Sequence, residues 1–369
     1  MPVFAQDRAD FAPPTQEQAP IALMVDLSTG QTLHSRAADR RFIPASITKV
    51  MTLFLAFELM EEGKLRTTQR FSVSPQAFEE WHRKGSTMFL AHDGKPTVGE
   101  LLTGIATVSA NDGSIVLAEG AAGSVPNWVA MMNRKAREIG MTNSRFGTPN
   151  GWPDEGHTFV TARDLATLAG TLIERHPQLF AQYFGQSGMR YNGIAQDNHD
   201  PITGKVAGAD GMKTGFTNEA GYGFLGTAER DGRRLVMVVA GSPRSRIRND
   251  AARSFMEWGF DAFDLRRYFA AGERVASVRV QNGSMSRLDL VSARSVAIVV
   301  PKGTNPALKL SVRYEGPLEA PILPDEAVAR LHWQVDGIPA HSVPLIADKP
   351  VAKASFLRRI LNGFAAWFA

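Results

Sequence analysis

Three short motifs, in a fixed order and far apart along the chain, restrict the folds open to this sequence more than any other feature. They are Ser46-Ile47-Thr48-Lys49, then Ser109-Ala110-Asn111, then Lys213-Thr214-Gly215. Each is common on its own: a serine three residues before a lysine is ordinarily an N-cap followed by a surface cation, and Lys-Thr-Gly an ordinary turn before a strand. Together they carry two serine hydroxyls, an amide and two ammonium groups that do joint chemistry only if folding brings them to one place. The long interval between the first and last motifs leaves room for a helical subdomain inserted between the two ends of a sheet.

The residue types explain why they must converge. A serine hydroxyl is a poor nucleophile near neutral pH and needs a neighbouring base. Ser46 precedes the apolar run of residues 50–57, which predicts a buried helix ending near Gly63. Residues three apart share a helix face, so Lys49 falls one turn below Ser46 and within reach of its hydroxyl. Burial and a second cation such as Lys213 would push the Lys49 pKa down, the direction a base requires. The helix N-terminus beneath Ser46 favours developing negative charge. Pro44 and Ala45 fit a sharp bend into the helix.

Ser109-Ala110-Asn111 follows the apolar residues 101–108 and fits a polar loop at the end of a helix. Asn111 offers an amide donor and acceptor to a peptide, and Ser109 a hydroxyl able to pass a proton to a leaving amine. Structurally, Asn111, Asp112 and Gly113 also read as turn residues. Lys213 and Thr214 suit a carboxylate, and Gly215, on an edge strand, would let a substrate backbone approach closely.

Serine, lysine, serine, asparagine and Lys-Thr-Gly in this order are the marks of serine acyltransferases that act on penicillins or D-alanyl peptides. From about Ile21 onward the chain resembles the low-molecular-weight penicillin-binding proteins, the serine-type D-alanyl-D-alanine carboxypeptidases. The segments that carry the resemblance are collinear with the family: Pro44-Ala45-Ser46-Ile47-Thr48-Lys49, Lys84-Gly85-Ser86-Thr87-Met88-Phe89-Leu90, Asn150-Gly151, Thr161-Ala162-Arg163-Asp164-Leu165, Tyr191-Asn192-Gly193-Ile194, Asp210-Gly211-Met212-Lys213-Thr214-Gly215, Ala220-Gly221-Tyr222 and Trp258-Gly259-Phe260.

The resemblance implies an α/β (α+β) catalytic domain of the DD-peptidase and β-lactamase-like transpeptidase type, an antiparallel sheet with a helical subdomain. It implies a two-step acyl transfer without cofactor or metal. Ser46 attacks the penultimate D-alanine of a peptidoglycan stem pentapeptide, Lys49 serves as base, and Ser109 relays the proton to the departing D-alanine. Water then hydrolyses the acyl-enzyme. The oxyanion lies between the backbone N–H groups of Ser46 and Phe216, and Asn111 holds the substrate amide. Lys213, Thr214 and an arginine that aligns with Arg248 bind the terminal carboxylate, and β-lactam antibiotics acylate the same serine. Three positions depart from the family pattern: Ala110 stands for the usual glycine, Phe216 for a histidine, and His199 for an arginine. His199 replaces that arginine only when protonated, and a lone histidine on a polar loop otherwise reads as solvated surface.

Composition agrees with this without suggesting it. A chain of 369 residues with 44% hydrophobic content has room for two domains. Cysteine is absent, which excludes disulfides, zinc–thiolate sites and cysteine nucleophiles. The net charge is +4, and the basic residues are spread out without interleaved aromatics, which argues against a nucleic-acid partner.

The expected organisation has four parts. Residues 1–20 read as a signal-peptide remnant, with Val3-Phe4-Ala5 as a cleavage-type pattern, and a disordered Pro- and Gln-rich linker. Residues 21–265 form the catalytic domain. It has hairpins at residues 21–34 and 222–240 and helices at 125–140, 161–174 and 245–263. Residues 272–349 hold six short strand-type runs and read as a small all-β domain without catalytic candidates. Residues 353–369 place Phe356, Leu357, Ile360, Leu361, Phe364, Trp367 and Phe368 on one face of an amphipathic helix, too short to span a bilayer and suited to its interface. With the resemblance, this tail implies a periplasmic enzyme attached peripherally to the outer face of the inner membrane.

Rival functions share the motifs. A class A β-lactamase needs a Glu-x-x-Leu-Asn segment before Lys213, and residues 112–212 contain none. An endopeptidase acting on D-alanyl crosslinks would use the same residues, and a silent cell-wall scaffold would need none of them.

Overall fold

A computed structural model describes residues 11–336 and 338–355. The cleavage-type pattern at Val3-Phe4-Ala5 and the amphipathic segment from Phe356 onward lie outside the described residues. Two compact units emerge, one running to Ser28 and from Leu33 to Phe260, the other made of Thr29–Thr32 and the chain from Asp261 onward.

In the first unit, β1 (Ile21–Asp26) and β2 (Thr32–Arg36) lead into a helical region: α1 (Lys49–Glu61), α2 (Pro75–Trp81), α3 (Val98–Thr107), α4 (Asn111–Ala122), α5 (Val125–Glu138), α6 (Ala162–Arg175) and α7 (Pro177–Tyr183). The chain returns through a small hairpin, β3 (Gly188–Tyr191) and β4 (Ile194–Asp197), to β5 (Ala209–Thr217), β6 (Gly221–Arg230), β7 (Arg233–Ser242) and α8 (Ser245–Asp261). β1 pairs antiparallel with β7 in the register Ile21↔Ala240, which closes a five-stranded sheet in the order β2-β1-β7-β6-β5. Both expected hairpins thus meet in one sheet, and β5, with Lys213-Thr214-Gly215, lies on its edge.

Hydrophobicity explains the layering. β7 reads Leu-Val-Met-Val-Val-Ala and is buried throughout, because both faces of the sheet are covered. Val236, Val238 and Ala240 turn toward the helical core with α6, while Met24 and Leu235 face α8, close enough that a Cβ on Gly259 would stand 2.2 Å from the Met24 sulfur. α1 is apolar on every side, and residues 49–57 are all buried. A helix of that kind has no solvent face and must run through a core. Local signals set several helix starts: Ser74 caps α2 with Pro75 behind it, Thr97 and Glu100 form a capping box at α3, and Thr161 caps α6.

Two expectations for this unit change. Residues 11–20, expected as disordered linker, are docked: Ala12 N–H donates to Ser254 Oγ at 3.2 Å, Ser242 Oγ donates to the Gln18 carbonyl at 2.6 Å, and Ala19 is fully buried. The last helix stops at Asp261 because Phe263 starts the first strand of the second unit.

That unit contains β8 (Phe263–Phe269), β9 (Arg274–Gln281), β10 (Arg287–Val291), β11 (Val296–Pro301), β12 (Leu308–Arg313), β13 (Leu318–Glu319), β14 (Ala327–Val335) and β15 (Ile338–Ala347). β8 pairs with β11, and the remaining six form a sheet in the order β12-β14-β15-β10-β9-β13. Along β14 the alternation of Ala329, Leu331, Trp333 and Val335 buried against Arg330 and Gln334 exposed is that of a sheet with one solvated face. Lys353, expected to open the terminal helix, instead makes a bridge to Gly283. Among the described residues no helix is long and apolar enough to cross a membrane.

Candidate active site

Ser46 is presented by a strained turn. Pro44 leads into Ala45 at φ 49°, and Ala45–Thr48 forms one 3-10 turn that passes into α1 at Lys49. The left-handed φ of a non-glycine residue costs of order 1–2 kcal/mol, so the surroundings must hold it. Two glycines do so. A Cβ on Gly215 of β5 would stand 2.4 Å from the Pro44 carbonyl oxygen, and one on Gly151 would stand 1.9 Å from that of Ala45. Gly215, expected to admit a substrate backbone, therefore first admits the protein's own turn at Ser46.

Lys49 lies below Ser46 as the spacing predicts, and is completely buried. Its Nζ is 2.9 Å from Ser46 Oγ, 2.8 Å from Asn111 Oδ1 and 2.6 Å from the Asn150 carbonyl oxygen. The amide of Asn111 cannot turn around, because its Nδ2 donates to the Lys84 carbonyl at 3.0 Å. Burial pushes the Lys49 pKa well below that of an ordinary lysine, the Lys213 charge lowers it further, and Asp112 opposes the shift. An uncharged amine in this cage donates to Asn111 and Asn150 and has one lone pair left, which faces the Ser46 hydroxyl. That is the geometry of a base.

The second motif lies in the expected link after α3, and its last residue opens a second helix. α3 ends at Thr107, Ser109 adopts φ 62°, and Asn111 is the first residue of α4. Ala110 has φ −55°, so a methyl at the usual glycine position meets no backbone strain. Asn111 N–H donates to the Ser86 carbonyl at 2.8 Å. Asp112, buried beside it, accepts from the backbone N–H groups of Met88 (3.0 Å), Leu90 (3.1 Å) and Gly113 (2.8 Å). Burial raises the Asp112 pKa while these donors hold it down. The start of α4 thereby fixes the segment from Lys84 to Leu90, which carries Gly85 and Ser86 to the site.

On the opposite side stands β5. Lys213 is buried, and its Nζ donates to the Thr214 carbonyl at 3.2 Å, so it lies under the site rather than on its surface. Its pKa is lowered to about 7, by burial first and by Arg248 next, against the pull of Asp200. Arg248, near the start of α8, donates through Nη1 to the Gly223 carbonyl and through Nε to Asn249 Oδ1, both at 2.7 Å. Burial lowers its pKa to about 10, with Asp200 again opposing. His199 sits on the loop after β4, and its pKa is lowered by desolvation, then by Lys213, Arg248 and Lys49. Desolvation and those cations disfavour the imidazolium, and a bound anion would favour it. The Phe216 ring is 46% exposed and stacks on Tyr222 with centroids 4.1 Å apart.

One cleft of about 510 Å³ gathers Ser46, Ser109, Asn111, His199, Thr214, Gly215, Phe216 and Arg248 along its lining. Lys49 and Lys213 are the sequence candidates that do not reach this surface; both sit beneath it. Among the described residues no group of three His, Asp or Glu side chains could hold a metal ion. Three participants escaped sequence reasoning. The Asn150 carbonyl is a backbone group without a residue signature, although Asn150-Gly151 was among the resembling segments. Asp112 reads as a turn acid and Asp200 carries no sequence signal, and only burial reveals the two.

Residues 8–244 match the D-alanyl-D-alanine carboxypeptidase family, and residues 263–353 match the penicillin-binding protein 5 C-terminal domain. The chain belongs to the D-alanyl-D-alanine carboxypeptidase family. Among curated members, the D-alanyl-D-alanine carboxypeptidase DacA of Haemophilus influenzae is 30% identical over 97% of this chain and 91% of its own. DacC of Escherichia coli is also 30% identical, over 99% and 92%. The crystal structure of penicillin-binding protein 5 from Haemophilus influenzae superposes with a TM-score of 0.82 at 29% identity, covering 93% of this chain and all of that one. An ampicillin-bound penicillin-binding protein D2 from Listeria monocytogenes superposes with a TM-score of 0.61 at 27% identity, over 68% of this chain and all of that one. This family likeness extends over both units, as expected from the sequence.

Because Gly151 at φ 74° admits no Cβ beside Ala45, Gly151→Ala should displace the nucleophile turn. Urea unfolding should show a loss of at least about 2 kcal/mol, with acylation by a fluorescent penicillin slowed in the fraction that remains folded.

Proposed function

We propose that this protein is a serine-type D-alanyl-D-alanine carboxypeptidase, which removes the terminal D-alanine from peptidoglycan stem pentapeptides and is acylated by penicillins. The observation that carries the proposal is the 2.9 Å contact between the caged Lys49 amine and Ser46 at the floor of an open cleft.

The substrate carboxylate is drawn to Thr214 and Arg248, above the buried Lys213 charge, and a protonated His199 adds to them once the anion is bound. Asn111, fixed by Lys84 and Lys49, offers its amide to the peptide. Ser46 Oγ gives its proton to Lys49 as it attacks the penultimate carbonyl. The oxyanion forms between the N–H groups of Ser46 and Phe216, where electrostatic stabilisation is worth most. The C–N bond then breaks, and the departing amine takes a proton relayed from Lys49 through Ser109. Water, deprotonated by Lys49, releases the acyl group by the reverse path. The cleft-lining residues do not include a carboxylate that would activate water for fast release of a penicilloyl group, which favours a carboxypeptidase over a β-lactamase. An endopeptidase would cut dimeric muropeptide with the same residues.

We also propose that the segment from Phe356 onward attaches the enzyme to an anionic membrane surface, on the outer face of the inner membrane. Cutting the chain after Ser355 should abolish cosedimentation with anionic vesicles and leave peptide hydrolysis intact; retained cosedimentation would refute the attachment.

Intact mass after brief exposure to a fluorescent penicillin, with D-alanine release from diacetyl-Lys-D-Ala-D-Ala measured in parallel, tests the main reading. A single adduct and D-alanine release, both lost in Ser46→Ala, are expected; an adduct that persists in Ser46→Ala would overturn it. Because the Lys49 pKa is depressed, penicillin acylation should rise with pH and level off well below the ordinary lysine range. Lys213 loses its proton around pH 7, so KM for the carboxylate-bearing peptide should climb above that pH.

A further inference from the structure

Beside the catalytic cleft lies a second bay, about 720 Å³ in volume, that shares Phe216, Asn218 and Tyr222 with it. The stacked rings of Phe216 and Tyr222 form the ridge between the two. The far wall of the bay is residues 40–43 and part of its floor is residues 241–243. Arg40 and Arg41 are exposed there, and neither makes an ion pair among the described residues. The neighbouring acid, Asp39, is already taken by Arg163, whose Nε and Nη2 donate to its two oxygens at 2.7 and 3.0 Å. Glu219 is the one acidic side chain on the lining. Two unneutralised guanidinium groups therefore face one carboxylate.

This wall is built rather than loose. Phe42 and Val160 exchange two backbone hydrogen bonds of 2.9 Å, and the Arg41 guanidinium lies over the Phe159 ring at 4.6 Å. An arginine held as Arg41 is loses little freedom when it meets a planar anion.

The edge strand gives the direction in which a substrate would lie. A peptide whose terminal carboxylate sits at Thr214 and Arg248, with its reactive carbonyl at Ser46, can extend as an added edge strand, antiparallel along β5 from Thr214 toward Thr217. At about 3.3 Å per residue, the third residue upstream of the terminal one passes Phe216 and reaches the bay. We propose that the bay is a subsite for a carboxylate-bearing residue upstream of the scissile bond, with Arg40 and Arg41 as its cations. The assignment rests on the carboxypeptidase reading of the cleft and extends it to the acidic character of the stem peptide.

Three peptides test it: L-Ala-γ-D-Glu-L-Lys-D-Ala-D-Ala, the same peptide with D-isoglutamine in place of D-glutamate, and diacetyl-Lys-D-Ala-D-Ala. The amide keeps the shape and removes the charge. The unaltered protein should prefer the glutamate peptide over its amide by about tenfold in kcat/KM, mostly through KM, and added salt should narrow the gap. In the double variant Arg40→Gln/Arg41→Gln the preference should vanish, while hydrolysis of diacetyl-Lys-D-Ala-D-Ala and penicillin acylation stay unchanged. Equal rates on the glutamate and isoglutamine peptides in the unaltered protein would overturn the subsite, as would a double variant that slows all three peptides alike. Absence of D-alanine release from all three by the unaltered protein would instead overturn the carboxypeptidase reading, and the subsite with it.

Discussion

The site depends on a lysine amine enclosed by three oxygens with no carboxylate among them. Lys49 Nζ meets Ser46 Oγ, Asn111 Oδ1 and the Asn150 carbonyl oxygen, and its nearest opposite charge, Asp112, is spent on three backbone N–H groups. A salt bridge at this place would stabilise the ammonium and work against the proposed base role of Lys49. Carbonyl and amide oxygens can instead satisfy both N–H groups of the amine in its neutral form and leave the lone pair to Ser46. Asn111 serves the cage, the Lys84 carbonyl and the cleft at once, so its position is over-determined.

The energetic cost of this arrangement is spread through the fold. Lys213 has a folded pKa of about 7 against 10.5 for an ordinary lysine. Between those values the unfolded chain binds the proton that the folded chain has released, so stability rises with pH across that window. Below pH 7 the burial cost is fully present. The apolar helix α1, the doubly covered sheet and the packed turn at Ala45 offset it with burial on every side. Asp200, held by Ile202 N–H, Thr203 N–H and Thr203 Oγ, tempers the positive charge under the cleft without entering it.

Much of this was legible in the sequence because it depends on spacing and on hydrophobic pattern. Ser46 over Lys49, the run of α1, the two hairpins and the strand-rich second unit follow from periodicities of three to four and of two. What escaped depends on long-range contacts. Nothing local distinguishes Asp112 from a turn acid, since its partners Met88 and Leu90 lie on another segment. The helical start at Asn111 is hidden in the sequence because Asn-Asp-Gly is turn-like until Ser86 and Lys84 supply acceptors. Residues 11–20 have the composition of a linker, yet Ser242 and Ser254 hold them in place. The Asn-Gly pair at Asn192-Gly193, with φ of 46° and 78°, is a strong hairpin signal that the long helical context obscured.

The most direct test of the central claim is the titration of Lys49 in the resting protein, followed by NMR of isotope-labelled lysine side chains and assigned with Lys49→Arg. The account predicts that the Lys49 amine loses its proton well below the ordinary lysine range and is neutral when Ser46 reacts. A Lys49 resonance that titrates with the surface lysines would contradict it, because an ammonium in that cage cannot take the serine proton.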